Sequence, residues 1–475
     1  MTAVAILNRA DQASGKRAPG AFVRVSTDHF GGVDHTVTMV LDDGDWRTTV
    51  DGGGFTSMSG SHQGQLWSSN ENGIVTLNSN FRAKSDPNVL ALKHPENPQY
   101  RVTVLGMTQN PPEEYVVDVN PPDGVDVHLY YNAQTFLLDR EVRFERDRYH
   151  HVTEYSDYRN VFGKMAAWRI HSYDGRPQND EVDTVVSFER STTTSDLGIP
   201  DSKPLFTLDG TSPVVLPVRF TPAGIILQAK IGGRGYDFFL DSGASGLFID
   251  PGVAHELGLT QFGRSRQTVG GGDVDFGSVR ISQMSIGPLQ MQNVAFTTSP
   301  FDFHTQGARV VGLIGFDFLA SGIVELDFKA HTVTLYPRSI FAANAAGWQA
   351  LPLQLDDGIP RVEASVESVP GNFLIDTGAF GMMAYHDYVG KLPTVTTAPG
   401  QLEFDTVGGA MDALLLHVTD FKFGAIAFRT AEFFEPTKST FDITDYDGII
   451  GRNVLSVYRV TFDYADRILF LRNNI

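Results

Sequence analysis

The 475-residue sequence predicts a mostly β protein in two parts. The first is an N-terminal antiparallel, half-barrel-like sheet with one or two helices. The second is a duplicated, two-lobed β fold. Three observations lead there. Short β-branched and aromatic runs recur between Gly, Asp and Pro clusters in the N-terminal part. Two matching segments follow, Phe239-Leu240-Asp241-Ser242-Gly243-Ala244 and Leu374-Ile375-Asp376-Thr377-Gly378-Ala379. Each sits in the same longer pattern.

In chain order, the helix candidates are Thr2–Ser14 and Asp86–Lys93. The strand candidates are Ala21–Ser26, Thr36–Leu41, Gly73–Leu77, Tyr100–Leu105, Tyr115–Val119, Val125–Tyr131 and Phe136–Phe144. Turn clusters separate them: Asp42-Asp43-Gly44, Asp51-Gly52-Gly53-Gly54, Pro111-Pro112 and Asn120-Pro121-Pro122-Asp123-Gly124. Regular short strands with such turns read as an antiparallel sheet or partial barrel. The Ser-, Thr-, Asp- and Pro-rich stretch Ser191–Pro204 reads as a linker. The expected division is 1–195 accessory domain, 196–213 linker, 214–340 first lobe and 341–475 second lobe, with Phe341–Ala350 connecting the lobes.

The duplication is visible by subtraction. Leu216-Pro217-Val218 precedes Asp241 by 25 residues, and Leu351-Pro352-Leu353 precedes Asp376 by 25. Thr268-Val269-Gly270-Gly271 follows the first aspartate by 27, and Thr406-Val407-Gly408-Gly409 follows the second by 30. Gly312-Leu313-Ile314-Gly315 lies 71 beyond Asp241, and Gly448-Ile449-Ile450-Gly451 lies 72 beyond Asp376. Asp327 and Asp463 each follow 12 residues later, and apolar strands, Thr332–Leu335 and Ile468–Leu471, close both copies. A spacing of 135 between the aspartates fits a duplicated domain, since solenoid periods are roughly 20–50. The paired Gly-Gly segments read as hairpin tips, where positive φ is needed. The Gly-apolar-apolar-Gly segments offer small residues for close backbone approach to the aspartate loops.

Paired carboxylates facing each other can share one proton and activate a water. The bland alternative for Asp241 and Asp376 is a pair of turn aspartates. These motifs resemble the pepsin/retropepsin superfamily of aspartic proteases, over about 214–475. Ala244 and Ala379 are closer to the retroviral type, which carries Ala at that place. The resemblance implies that Asp241 and Asp376 are catalytic and that Ser242 and Thr377 brace the two loops, with Gly243 and Gly378 giving the turns. Ser245 is a candidate to bond the first aspartate; Phe380 stands at the matching place in the second copy. Val269, Gly270, Gly271 and Phe276, and Val407, Gly408 and Gly409, are flap or substrate-binding candidates. The flap tyrosine of pepsin-like enzymes is missing, and bland loops are an equal reading for at least one tip.

Composition narrows the rest. A net charge of −19 argues against nucleic acid or anionic membrane as a partner. No cysteine exists, so disulfides, thiolate metal sites and cysteine nucleophiles are excluded. No apolar run is long enough to span a bilayer. A serine-hydrolase elbow at Ser245 fails because Leu247 stands where glycine is needed. His150 and His151 are adjacent on a strand and point to opposite faces. Asp442, Asp445 and Asp447 lack calcium-loop spacing and read as an acidic surface loop. No metal or organic cofactor is expected.

Three N-terminal phrases resemble bacterial lipoprotein-carrier (LolA-like) half-barrels: Gly44-Asp45-Trp46-Arg47, Leu129–Leu137 and Tyr155–Gly163. That resemblance implies a curved sheet around an apolar concavity, with a lipid or lipoprotein as ligand. The expected protein is a monomeric aspartic endopeptidase acting on peptide or protein substrates, bacterial and exported to the periplasm or beyond, its signal peptide outside this chain. The alternatives are a binding protein whose protease lobes are relics, and an intracellular processing enzyme.

Overall fold

The computed structural model describes the chain apart from residues 43, 79–85, 123, 145–148, 192–196, 270–271, 302, 306, 342–346, 357, 407–408, 438–445 and 475. It is mostly β and divides into two compact units. The first comprises Met1–Trp67, Ser79–Ile199 and Gly263–Arg266; the second comprises Ser68–Asn78, Pro200–Phe262 and Gln267–Ile475.

In the first unit an antiparallel sheet runs from Gln65–Ser69 through Phe55–His62, Asp45–Gly52 and Val33–Asp42 to Phe22–Phe30. The N-terminal strand Phe22–Phe30 then pairs with Glu181–Arg190, in the register Phe22↔Arg190 to Phe30↔Glu181. From there the sheet returns through Lys164–Tyr173, His150–Val161, Leu138–Phe144, Asp126–Asn132, Glu114–Val119 and Val102–Met107. Alternation places Val117, Val119, Val127, Leu129 and Tyr131 on one face. Against them lies the helix Ala3–Ser14, whose buried residues Ala3, Ile6 and Ala10 recur at helical spacing.

Both expected helices form, and their caps explain their starts. The Thr2 hydroxyl accepts from the Ala5 N–H. Asp86 accepts from Asn88 and Val89, with Pro87 in the first turn. The expected strands form with shifted ends. Several strands were not expected, among them Asp45–Gly52, which has no fully buried residue. A strand without a buried face leaves no apolar alternation to read.

The second unit contains two sheets with the same strand order. In its first half the sheet order is Val218–Phe220, Ile225–Ile231, Arg234–Leu240, Ala308–Ile314, Leu247–Ile249, Leu289–Thr298, Gly272–Ile286 and Phe262–Val269. The second half repeats it with Gln354–Asp356, Ile359–Val366, Val369–Ile375, Gly448–Ile450, Met382–Ala384, Ile426–Pro436, Gly409–Phe423 and Thr396–Thr406. A further six-stranded sheet takes three strands from each half, joined where Ile323–Asp327 pairs antiparallel with Tyr458–Asp463. There the repeated Asp327 and Asp463 are buried. Asp327 accepts from Arg459, and Asp463 takes both terminal nitrogens of Arg338 at 2.6 and 3.1 Å. These landmarks are structural anchors.

One difference from the sequence expectation concerns residues 68–78, which fall within the expected accessory domain 1–195. They group with the second unit, because Ile74 is fully buried in its main core and Asn70 and Asn72 bond its interior.

Candidate active site

Each aspartate directly follows a strand whose last three residues are apolar and buried, Arg234–Leu240 in one half and Val369–Ile375 in the other. Both strands run parallel to the strand of the Gly-apolar-apolar-Gly element, in the registers Leu240↔Ile314 and Ile375↔Ile450. The Asp241 N–H donates to the Ile314 carbonyl at 3.0 Å, and the Asp376 N–H to the Ile450 carbonyl at 3.1 Å. The last residue of each element must be small. A Cβ on Gly315 would lie 2.4 Å from the Ala244 carbonyl oxygen, and one on Gly451 would lie 2.3 Å from that of Gly381.

The two loops grip each other. The Ser242 N–H donates to Thr377 Oγ1 at 2.9 Å, and the Thr377 N–H donates to Ser242 Oγ at 3.0 Å. Each hydroxyl then donates onward, Ser242 to the Ile375 carbonyl at 2.7 Å and Thr377 to the Leu240 carbonyl at 3.0 Å. Both side chains are buried. The grip brings each carboxylate over the glycine of the opposite loop. A Cβ on Gly243 would be 2.7 Å from the Asp376 carboxyl carbon, and one on Gly378 would be 2.6 Å from that of Asp241.

Backbone N–H groups aim at the carboxylates. Gly243 donates to Asp241 Oδ1 at 2.8 Å. Gly378 and Ala379 donate to Asp376 Oδ1 at 2.7 and 2.9 Å. Burial pushes the Asp241 carboxyl far above the usual carboxylate range. The charge of Asp376 beside it, and the hydrogen bond between the two side chains, push the same way; the N–H groups of Gly243 and Gly378 oppose them. Two carboxyl groups in contact therefore favour a state with one proton between them.

Ser245 is exposed, and Asp241 Oδ1 accepts from the Gly243 N–H instead. Phe380, at the matching place, is 66% exposed. Val269 ends the strand Phe262–Val269, and Phe276 lies half-buried on Gly272–Ile286. Gly409 opens Gly409–Phe423 with φ +114° and pairs with Thr406. Gly270, Gly271, Val407 and Gly408 lie outside the described residues, as do Asp442 and Asp445. Asp447 is described, and its carboxylate accepts the Asn372 N–H at 2.8 Å.

Sequence reasoning missed Arg452. Its buried guanidinium donates to the carbonyls of Pro222 at 2.8 Å, Ala223 at 2.9 Å, Thr377 at 3.2 Å and Gly378 at 3.4 Å. It thus ties a turn of the first half to the aspartate loop of the second. Burial lowers its pKa, while the charges of Asp376 and Asp241 act to raise it. The signal was present: Arg452 follows Gly451 where Phe316 follows Gly315. In the first unit, Asp118, Asp126 and His128 bring ligand atoms within 4.8 Å of one another, a grouping that acidic surfaces commonly show without an ion.

Residues 227–318 match the family model described as aspartyl protease. The match includes Asp241 and the Gly312–Gly315 element. Among solved structures, the chain is similar to a LolA superfamily protein from Nitrosomonas europaea, at 14% identity over 41% of this chain and 95% of that one, TM-score 0.30. It is similar to a DUF1329 family protein from Desulfovibrio piger at 13% identity, covering 41% and 94%, TM-score 0.30. Basic 7S globulin from soybean is similar at 13% identity, covering 55% and 94%, TM-score 0.33. No curated protein matches the chain. By sequence, then, the stretch around the first aspartate is similar to the aspartyl proteases.

Proposed function

We propose that the second unit is an aspartic endopeptidase. The observation that carries this reading is the placing of each carboxylate over the glycine of the opposite aspartate loop, Asp376 at Gly243 and Asp241 at Gly378, held by the reciprocal Ser242–Thr377 bonds. A relic would have no need to keep two carboxylates pressed together against their mutual repulsion.

In this reading a water sits between the carboxyl groups. The ionised aspartate takes its proton as the oxygen attacks the scissile carbonyl. The protonated one donates to the carbonyl oxygen, stabilising the tetrahedral intermediate, and a proton then passes to the leaving amine. Which residue starts protonated is a property of the pair. The buried grip costs no reorganisation during the reaction, which is where preorganised sites gain their rate.

The test is direct. The purified chain cleaves an unstructured protein, is blocked by a statine-type transition-state mimic, and ignores chelators and serine reagents. Asp241→Asn and Asp376→Asn each abolish cleavage. Full activity in either variant overturns the reading.

A second activity is supported by a separate observation. The first unit contains a cavity of about 560 Å³. Leu7, Met39, Leu41, Leu138, Met165 and Ile170 are among its lining residues. Its size and lining suit an acyl chain. Saturable binding of a fluorescent fatty acid, lost on Ala10→Trp, checks this; no binding by the wild type refutes it. No described helix is long and apolar enough to cross a membrane.

A further inference from the structure

Residues 68–78 lie far ahead of the first aspartate in the chain yet are built into the second unit. The turn Asn70-Glu71-Asn72 is held from several directions. Asn70 and Asn72 each donate a side-chain N–H to the buried Asp317 carboxylate. Asn72 also exchanges hydrogen bonds with the backbone of Ala295, at 2.7 and 3.0 Å. Asn70 Oδ1 accepts from the N–H groups of Asn72 and Ile74, both at 3.1 Å. The Gly73 carbonyl accepts from the Lys203 N–H at 2.9 Å. The amide side chains are thereby committed to fixing the turn, and Glu71 stands exposed at its tip.

This turn lines a cavity of about 160 Å³ together with Ser245-Gly246. Those two residues directly continue the loop that carries Asp241. Glu71, Ser245, Ser278 and the buried Asp317 carboxylate supply acceptors around the cavity. Among the described residues, no Lys, Arg or His lines it. A small cavity lined by hydroxyl and carboxylate acceptors suits the cationic end of a lysine or arginine side chain.

We propose that the Asn70-Glu71-Asn72 turn completes a substrate subsite beside the Asp241 loop, and that the subsite takes a lysine or arginine side chain of the peptide. The proposal rests on the peptidase reading of the same unit. It makes the N-terminal part of the chain a direct contributor to cleavage specificity. It also makes the cleft asymmetric, because Phe380 is the counterpart of Ser245 in the other half.

The test uses the full-length chain and a set of fluorescein-labelled octapeptides with one fixed cleavable core. Lys, Ala or Glu is placed in turn at each remaining position. At one position the wild type is expected to show kcat/KM about fivefold higher for Lys than for Ala, the size of a rim ion pair, and lower again for Glu. Glu71→Gln removes the difference and Glu71→Lys reverses it. A wild type without a Lys preference at any position, or a preference that Glu71→Lys leaves in place, overturns the subsite. If the wild type cuts no peptide, it is the peptidase reading that falls. Equilibrium binding of the same Lys and Ala peptides then decides the subsite. Tighter Lys binding that Glu71→Lys abolishes upholds it, and equal binding refutes it.

Discussion

Ser242 and Thr377, 135 residues apart, each accept the other's backbone N–H and each send their hydroxyl proton on to the partner strand. Four buried hydrogen bonds thus depend on two small side chains. Ser242→Ala removes the acceptor for the buried Thr377 N–H and is expected to cost about 1–3 kcal/mol. Thr377→Ala does the same to Ser242. Thr377→Ser keeps the oxygen and should be nearly neutral. Because the grip sets where the carboxylates meet, each alanine variant should also lose roughly a hundredfold in kcat. Urea unfolding and peptide cleavage measured on the same three proteins check both effects.

The raised Asp241 carboxyl has consequences for rate and for stability. If the second unit is a peptidase, its dyad works with one proton between the two carboxyl groups, so activity should follow a bell in pH. Neither Ala244 nor Ala379 offers a hydroxyl to stabilise the charged form, which places the bell nearer neutrality than in pepsin. A flat profile from acid to alkaline pH counts against a carboxylate dyad.

For stability the sign is as follows. The folded-state pKa of Asp241 lies above its unfolded value, so the folded protein binds the proton more tightly. That contribution is complete below the unfolded pKa and is lost as pH rises through the folded one. Asp241→Asn removes the titration. The variant should gain melting temperature over the wild type at pH 8, show little gain at pH 3, and be inactive throughout. Calorimetry at the two pH values tests this; a variant less stable than wild type at pH 8 contradicts it.

Arg452 joins two turns through four carbonyls, a task for a planar fork of donors. Arg452→Lys keeps the charge but cannot reach them all. Bonds to a charged donor contribute about 1.5–3 kcal/mol each at most, and their loss here should lower stability by about 2–3 kcal/mol. Arg452→Met should do no better. A lysine variant with unchanged melting temperature and kcat would show that only the charge mattered.

Phe380 follows the second aspartate motif and is more exposed than any other large apolar side chain described. Covering such a ring with a substrate side chain contributes about 1.5–3 kcal/mol. Phe380→Ser should therefore reduce kcat/KM about tenfold or more for peptides with Leu or Phe near the scissile bond. Peptides with Ser or Asn there should be little affected. Equal losses on both sets would place Phe380 outside the substrate path.

What the sequence disclosed and what it hid follow from range. Asp241 and Asp376 were legible because strand, turn and glycine lie within a few residues and recur in register. The helices Ala3–Ser14 and Pro87–Lys93 were legible because their caps are adjacent. The bonds of Asn70 and Asn72 to Asp317 span 247 and 245 residues, and no local pattern announces them. Proximity in the chain makes Ser245 a candidate partner of Asp241, but the residue is exposed.

That long-range attachment changes what a fragment should do. Cutting in the polar stretch Ser191–Pro204 and keeping residues from Ser202 onward retains both aspartates, and the sequence alone suggests such a fragment folds. The structure shows that it would lack Ile74 from the main core and both amide donors to Asp317. Burial already pushes that carboxyl up to about 6, with the two asparagines opposing the shift. Without them a buried carboxylate is left unpaired, at a cost of about 1–3 kcal/mol or more, and an Ile-sized cavity opens, at about 2–5 kcal/mol. The fragment Ser202–Ile475 should be markedly less stable than the full chain, or fail to fold. Adding a synthetic peptide of residues 68–78, or fusing that segment ahead of Ser202, should restore stability. Asn70→Ala combined with Asn72→Ala in the full chain should reproduce part of the loss. A fragment as stable and active as the full chain would mean that residues 68–78 only lie against the second unit.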